Sequence, residues 1–102
     1  MTAVPRSPRL SPDELTAALT GLPLWSGDGE GIRRSIQLPG FPEAVAALVR
    51  IAFVAETMDH HPDVDLRWRT LHLTLVSHSA GGVSDLDLQL ARRIDALLPG
   101  RE

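Results

Sequence analysis

Three of the four histidines in this chain sit where proton chemistry is possible. His60 and His61 are adjacent and run into Pro62, and His78 follows further along. Imidazole has the ordinary pKa nearest neutrality, so it can give or take a proton at working pH. Among the nearby carboxylates, Glu56 lies one helical turn before His60 and Asp87 just past the loop that leaves His78. Such a set suits general acid–base catalysis, with one ring protonating a leaving group while another group accepts a proton.

Each of these residues also has a plainer explanation. A His-His-Pro tripeptide in a loop is commonly solvated surface. Asp87 completes a capping box with Ser84 without any chemistry. Glu56 fits an exposed helix position, and His72 has no evident partner and reads as structural. A three-histidine metal site is disfavoured because neighbouring residues in extended chain point to opposite sides. The helical i, i+4 histidine pair common in metal sites is also missing. Trp25 and Trp68 read as core or interface residues on base rates. Arg33-Arg34 reads as a solvated strand feature.

The surrounding elements must bring the histidines together. Residues 1–9, with Pro5 and Pro8, read as a mobile N-terminal arm. Ser11-Pro12-Asp13-Glu14 is a helix start, with a capping serine, proline at the first helical position and glutamate at the capping-box position. That helix runs to about Thr20 and stops at Gly21 and Pro23. Gly27-Asp28-Gly29 lies in a turn between Leu24-Trp25 and the segment 31–38, which predicts a hairpin. A long helix follows from Phe41 to about Met58, with Phe41, Ala44, Val45, Leu48, Val49, Ala52 and Ala55 at helical spacing. Pro62 disfavours the α conformation at His61, so the pair belongs to a helix-to-strand connection.

Val64 to Arg69 alternates Val64, Leu66 and Trp68 against Asp65, Arg67 and Arg69, as a half-exposed strand does. Leu71 to His78 alternates again. Gly81-Gly82 breaks it, and a last helix opens at Ser84 with Leu86, Leu90, Ile94 and Leu97 at helical spacing. The expected class is α+β in the order α-β-β-α-β-β-α, a four-stranded antiparallel sheet with three helices on one face. In a β-hairpin the start of one strand neighbours the end of the next. His60, His61 and His78 can therefore meet at one sheet edge.

The chain has 102 residues, 43% hydrophobic and 23% charged. That is one domain with one core, expected over residues 10–98 between the arm and a tail at 99–102. A domain this size buries only about 60–70% of its unfolded surface, which favours self-association. There is no cysteine, so disulfides, thiolate metal sites and cysteine nucleophiles are excluded. All ten basic residues are arginine, the formal net charge is -3, and no basic run exceeds two residues. A nucleic-acid footprint is missing. No apolar run resembles a leader or approaches the roughly 18–20 residues of a membrane span, so a cytoplasmic protein with no membrane partner is expected.

Taken together, Glu56-Thr57-Met58-Asp59-His60-His61-Pro62, Trp68, His78 and Asp87 resemble the signature of the pterin-4a-carbinolamine dehydratases. The Gly81-Gly82-Val83-Ser84-Asp85-Leu86-Asp87 stretch and the Leu90-Ala91 and Ile94-Asp95 pairs are similar to that family's last helix. Leu22-Pro23-Leu24-Trp25 and Phe41 with Ala44 extend the likeness upstream. Ser79 stands where many relatives have aspartate, and Leu24 where glycine commonly precedes the tryptophan.

The resemblance implies a dehydratase acting on a 4a-hydroxytetrahydropterin, with no metal or other cofactor. It implies His60 and His78 as acid–base groups and His61 as a residue that binds and orients the pterin. Glu56, Pro62, Trp68 and Asp87 would complete the substrate site, with Asp87 orienting His78 and Trp68 walling the pocket. Relatives form dimers or tetramers. An animal member also serves as a dimerisation cofactor for a transcription factor, so a protein-binding module is the rival reading. Binding in another pterin pathway is a further one.

Overall fold

Ser11 and Glu14 hold each other's backbone. Glu14 N–H donates to Ser11 Oγ at 3.1 Å, and Ser11 N–H donates to Glu14 Oε1 at 2.8 Å. This capping box starts α1 (Pro12–Thr20), whose one buried residue is Leu15. The computed structural model describes residues 6–100. Seven further elements follow: β1 (Ser26–Asp28), β2 (Gly31–Gln37), α2 (Phe41–Met58), β3 (Asp63–Arg67), β4 (Thr70–Leu75), a 3₁₀ turn (His78–Ala80) and α3 (Asp85–Leu97).

The strands form one sheet in the order β1-β2-β4-β3, every neighbouring pair antiparallel. The expected α+β architecture is the one observed. Alternation decides which face is covered: Ile32, Arg34 and Ile36 of β2 and Leu71, Leu73 and Leu75 of β4 are buried. Arg33, Ser35, Gln37 and His72 look outward. The buried row meets Ala47 and Ile51 of α2 and Leu90, Ala91 and Ile94 of α3 in one core. His72 does find a partner on the open face, Ser35 Oγ at 2.7 Å, its register mate across the sheet.

Several local expectations are corrected. Arg34 is only 2% exposed. Its position on the inward face of β2 lays the guanidinium beneath the end of α3, where it meets Asp95 Oδ1 at 2.6 Å and Leu98 O at 2.7 Å. Trp25 is core, as expected, and its indole N–H donates to the same Asp95 oxygen at 2.9 Å. Of the segment read as a mobile arm, residues 1–5 lie outside the described residues. Arg6 and Arg9 are docked instead: Arg6 donates to Met58 O and Asp59 O, and Arg9 bridges to Ser84.

β4 stops at Leu75 rather than running to His78. Ser77 exchanges both backbone hydrogen bonds with Gly82, at 3.0 and 3.2 Å, which folds the chain into the short turn that carries His78. A Cβ on Gly82 would lie 2.6 Å from Gly29 O, so only glycine fits where this turn crosses the β1–β2 hairpin.

Candidate active site

α2 ends on Asp59, whose left-handed φ of 49° reverses the chain. Aspartate tolerates this conformation better than most residues. His60 N–H then bonds back to Ala55 O at 3.1 Å, which seats His60 against the end of the helix. Arg6 donates to the last carbonyls, where a cation complements the helix dipole. Pro62 carries the chain into β3, antiparallel to β4, so the connection lies beside the turn that leaves β4.

His60, His61 and His78 line one hollow of about 240 Å³. Arg6, Val76 and Leu86 are among its other walls. That volume is slightly below the roughly 300–1,000 Å³ of pockets for drug-sized ligands, a scale that suits a small bicyclic ring. A larger groove of about 470 Å³ lies at the opposite end of the sheet, against Leu38, Arg50, Arg69 and Leu97. Among the described residues its walls carry no imidazole and no carboxylate, so the chemistry points to the smaller hollow.

Two of the three rings are tied to carboxylates. His60 Nε2 lies 2.5 Å from Asp87 Oδ1; the His60 side chain is 11% exposed and that of Asp87 is 0% exposed. Asp87 reaches this place from the first turn of α3, where its other oxygen accepts the Ser84 N–H at 2.9 Å as part of the capping box. The capping and site readings of Asp87 are thus the same arrangement. His61 Nε2 meets Glu56 Oε1 at 2.9 Å in a solvent-exposed pair. His78 is exposed at the mouth of the 3₁₀ turn, with no side-chain hydrogen bond among the described residues.

The expected pairing of Asp87 with His78 is therefore corrected to Asp87 with His60. β4 ends early, at Leu75, and leaves His78 exposed on the turn that follows. Trp68 does not wall the hollow. It sits in the β3–β4 turn at φ 53°, 70% exposed, with Arg69 over its ring at 4.9 Å. β3 and β4 pair from Asp63↔Thr74 to Arg67↔Thr70, so this turn is a whole strand length, roughly 3.3 Å per residue, from the histidines. Pro62 is half-buried beside His61 but is not on the walls.

Sequence reading missed three contributors. Ser77 donates to Asp87 Oδ2 at 2.8 Å and contacts Ser84 Oγ at 2.6 Å. Ser84 was legible as a cap, but Ser77 gave no signal beyond strand alternation. Arg6 gave none at all. Among the described residues, no group of three or more histidines and carboxylates is arranged to hold a metal ion.

The chain is thus an α+β domain with a small hollow walled by three imidazoles, one of them braced by a buried carboxylate. Residues 8–97 match the family described as pterin 4 alpha carbinolamine dehydratase, and the chain belongs to that family. A relative from Mycobacteroides abscessus, provisionally named a pterin-4-alpha-carbinolamine dehydratase, is 48% identical over 86 residues, 84% of this chain and 92% of that one. A relative from Nocardia farcinica with the same provisional name is 48% identical over 88 residues, 86% of this chain and 93% of that one.

The crystal structure of a transcriptional coactivator/pterin dehydratase from Brucella melitensis matches with a TM-score of 0.83 at 34% identity. It covers 87% of this chain and 97% of that chain. A pterin dehydratase-like protein, identified as a RuBisCO assembly factor in the alpha-carboxysome, shares the fold at TM-score 0.60 and 19% identity. That match spans 76% of this chain and 89% of that chain.

Proposed function

We propose that this protein eliminates water from 4a-hydroxytetrahydrobiopterin to give quinonoid dihydrobiopterin, as a step in pterin cofactor recycling. The observation that supports it best is the single hollow shared by three imidazoles, with His60 braced by Asp87. The C4a hydroxyl is a poor leaving group until protonated. An imidazolium supplies that proton, the C4a–O bond breaks, and the N5 lone pair forms the new C4a=N5 bond. A second group takes the proton lost from N5. General acid–base help of this kind contributes about 10²–10⁴-fold.

His60 and His78 are the acid–base pair in this reading, on two sides of the pterin, while His61, held by Glu56, binds and orients it. Pro62 shapes the connection that presents both histidines. The chemistry needs no metal and no redox cofactor. A cytoplasmic setting is part of the same proposal; among the described residues no helix is long and apolar enough to cross a membrane. The test follows quinonoid dihydropterin formation from enzymatically generated carbinolamine, with and without the protein and with chelator present. No acceleration by the protein refutes the reading, and loss of the acceleration on chelation refutes its metal-free chemistry.

A protein-binding role has its own support in α2. Phe41, Val45, Val49 and Phe53 recur every fourth residue and are 51%, 37%, 49% and 71% exposed. That apolar stripe fits a self-associating helix face, and dimers or tetramers are proposed on this ground. Phe53→Glu separates the readings: it lowers the mass seen by light scattering and leaves turnover per chain in place if the hollow works alone.

A further inference from the structure

Asp87 is surrounded by donors. Oδ1 faces His60 Nε2 at 2.5 Å, and Oδ2 accepts the Ser77 hydroxyl at 2.8 Å and the Ser84 N–H at 2.9 Å. A serine hydroxyl has one proton. That of Ser77 is directed at Asp87, so in the 2.6 Å contact between the two hydroxyls Ser84 is the donor. Ser84 Oγ accepts in turn from Leu86 N–H at 3.3 Å. The hydrogens therefore run one way, from Leu86 to Ser84 to Ser77 to Asp87. Ser77, Ser84 and Asp87 are all buried, so water does not substitute for a missing partner. Against an acceptor-only carboxylate, His60 must carry its proton on Nε2, which leaves the lone pair of the neutral ring on Nδ1.

We propose that Ser77 is a positioning residue: through Asp87 it fixes His60 as the Nε2–H tautomer and presents Nδ1 to the ligand. Its kinetic consequence rests on the dehydratase reading; its effect on the ring does not. Ser77 can be probed more cleanly than Ser84, whose side chain caps α3. The ties of Ser77 to Gly82 are backbone only, so removing its hydroxyl leaves that turn in place. Without the hydroxyl, Asp87 loses one of two donors at Oδ2, and the Ser84 hydroxyl loses its acceptor. The carboxylate is then free to turn, and His60 with it.

The experiment uses the full chain carrying ¹⁵N-labelled histidine, at a pH where His60 is neutral. Two-bond ¹H–¹⁵N spectra of the unaltered protein are expected to show a protonated Nε2 and a bare Nδ1. In Ser77→Ala both ring nitrogens move toward the averaged shifts of a tautomer mixture. There kcat falls about tenfold, the scale of one hydrogen bond to a charged group, and KM changes by less than about twofold. Ser77→Thr, which keeps the hydroxyl, restores both. If Ser77→Ala fails to fold by circular dichroism, Ser77→Cys, a similarly sized but weak donor, gives the same reading. A His60 ring pattern unchanged by loss of the hydroxyl overturns the proposal, whatever happens to kcat. A protein without turnover overturns the dehydratase reading instead, and the ring pattern still decides the role of Ser77.

Discussion

His60 and Asp87, 27 residues apart in sequence, meet with Nε2 2.5 Å from Oδ1, and the carboxylate is sealed from water. α2 delivers the ring and α3 delivers the acid, so the pair spans two helices. Three donors converge on Asp87, and an amide cannot accept from all of them without turning its own N–H₂ against one. Asp87→Asn is therefore expected to lower kcat by at least about 100-fold, as loss of a ring-orienting carboxylate does in other acid–base sites. Stability should drop by about 1–3 kcal/mol, the cost of an unsatisfied buried donor. Steady-state kinetics and urea unfolding check both; kcat within twofold of the unaltered protein contradicts the role given to Asp87.

Trp68 and His78 lie at opposite ends of the β4 strand, and their substitutions should part accordingly. Trp68→Ala is expected to leave kcat/KM within about twofold, because an exposed turn residue seldom contributes beyond its own surroundings. His78→Ala should lower kcat by about 10²-fold or more, the worth of a general acid or base. Equal losses in both variants would return Trp68 to the pocket wall.

Asp95 accepts from both Arg34 and Trp25. Asp95→Ala leaves a buried guanidinium with Leu98 O as its remaining partner and strips the indole N–H as well. The expected loss is about 3–5 kcal/mol, typical of breaking one side of a buried pair. Urea unfolding followed by circular dichroism measures it, and a midpoint shift equivalent to less than about 1 kcal/mol contradicts it.

Acid should loosen α1 before the core responds. Hydrogen bonds from the Ser11 backbone and then its hydroxyl hold the Glu14 carboxyl below its ordinary 4.5. A depressed carboxyl stabilises the fold fully above that ordinary value, and the contribution fades as pH falls through the lowered one. Glu14→Gln is thus expected to unfold earlier than the unaltered protein at about pH 7, with the gap closing as the pH falls below the ordinary 4.5. A gap that widens on acidification reverses the sign and removes the explanation.

Local chemistry made much of this fold legible. The two capping boxes, Pro42 at the start of α2 and the alternation of Leu71, Leu73 and Leu75 placed the elements and their buried faces. The convergence of the histidines followed from hairpin geometry. What escaped depends on contacts distant in sequence. Arg34 looked solvated because nothing near it announces Asp95. Asp87 was paired with the wrong ring because the turn at Ser77–Gly82, closed by backbone bonds, leaves His78 exposed. Trp68 takes a left-handed turn conformation that bulky residues rarely adopt, so its alternation with Leu66 read as strand.

The two tryptophans occupy opposite surroundings, Trp25 enclosed and bonded to Asp95, Trp68 standing in water at the hairpin tip. The molecule thereby contains its own pair of optical gauges. With Trp68→Phe, ultraviolet emission comes from Trp25 alone and registers the melting of the interior. Quenching by iodide in the unaltered protein reads the tip instead, so crowding of that end by a second molecule becomes visible without attaching a dye.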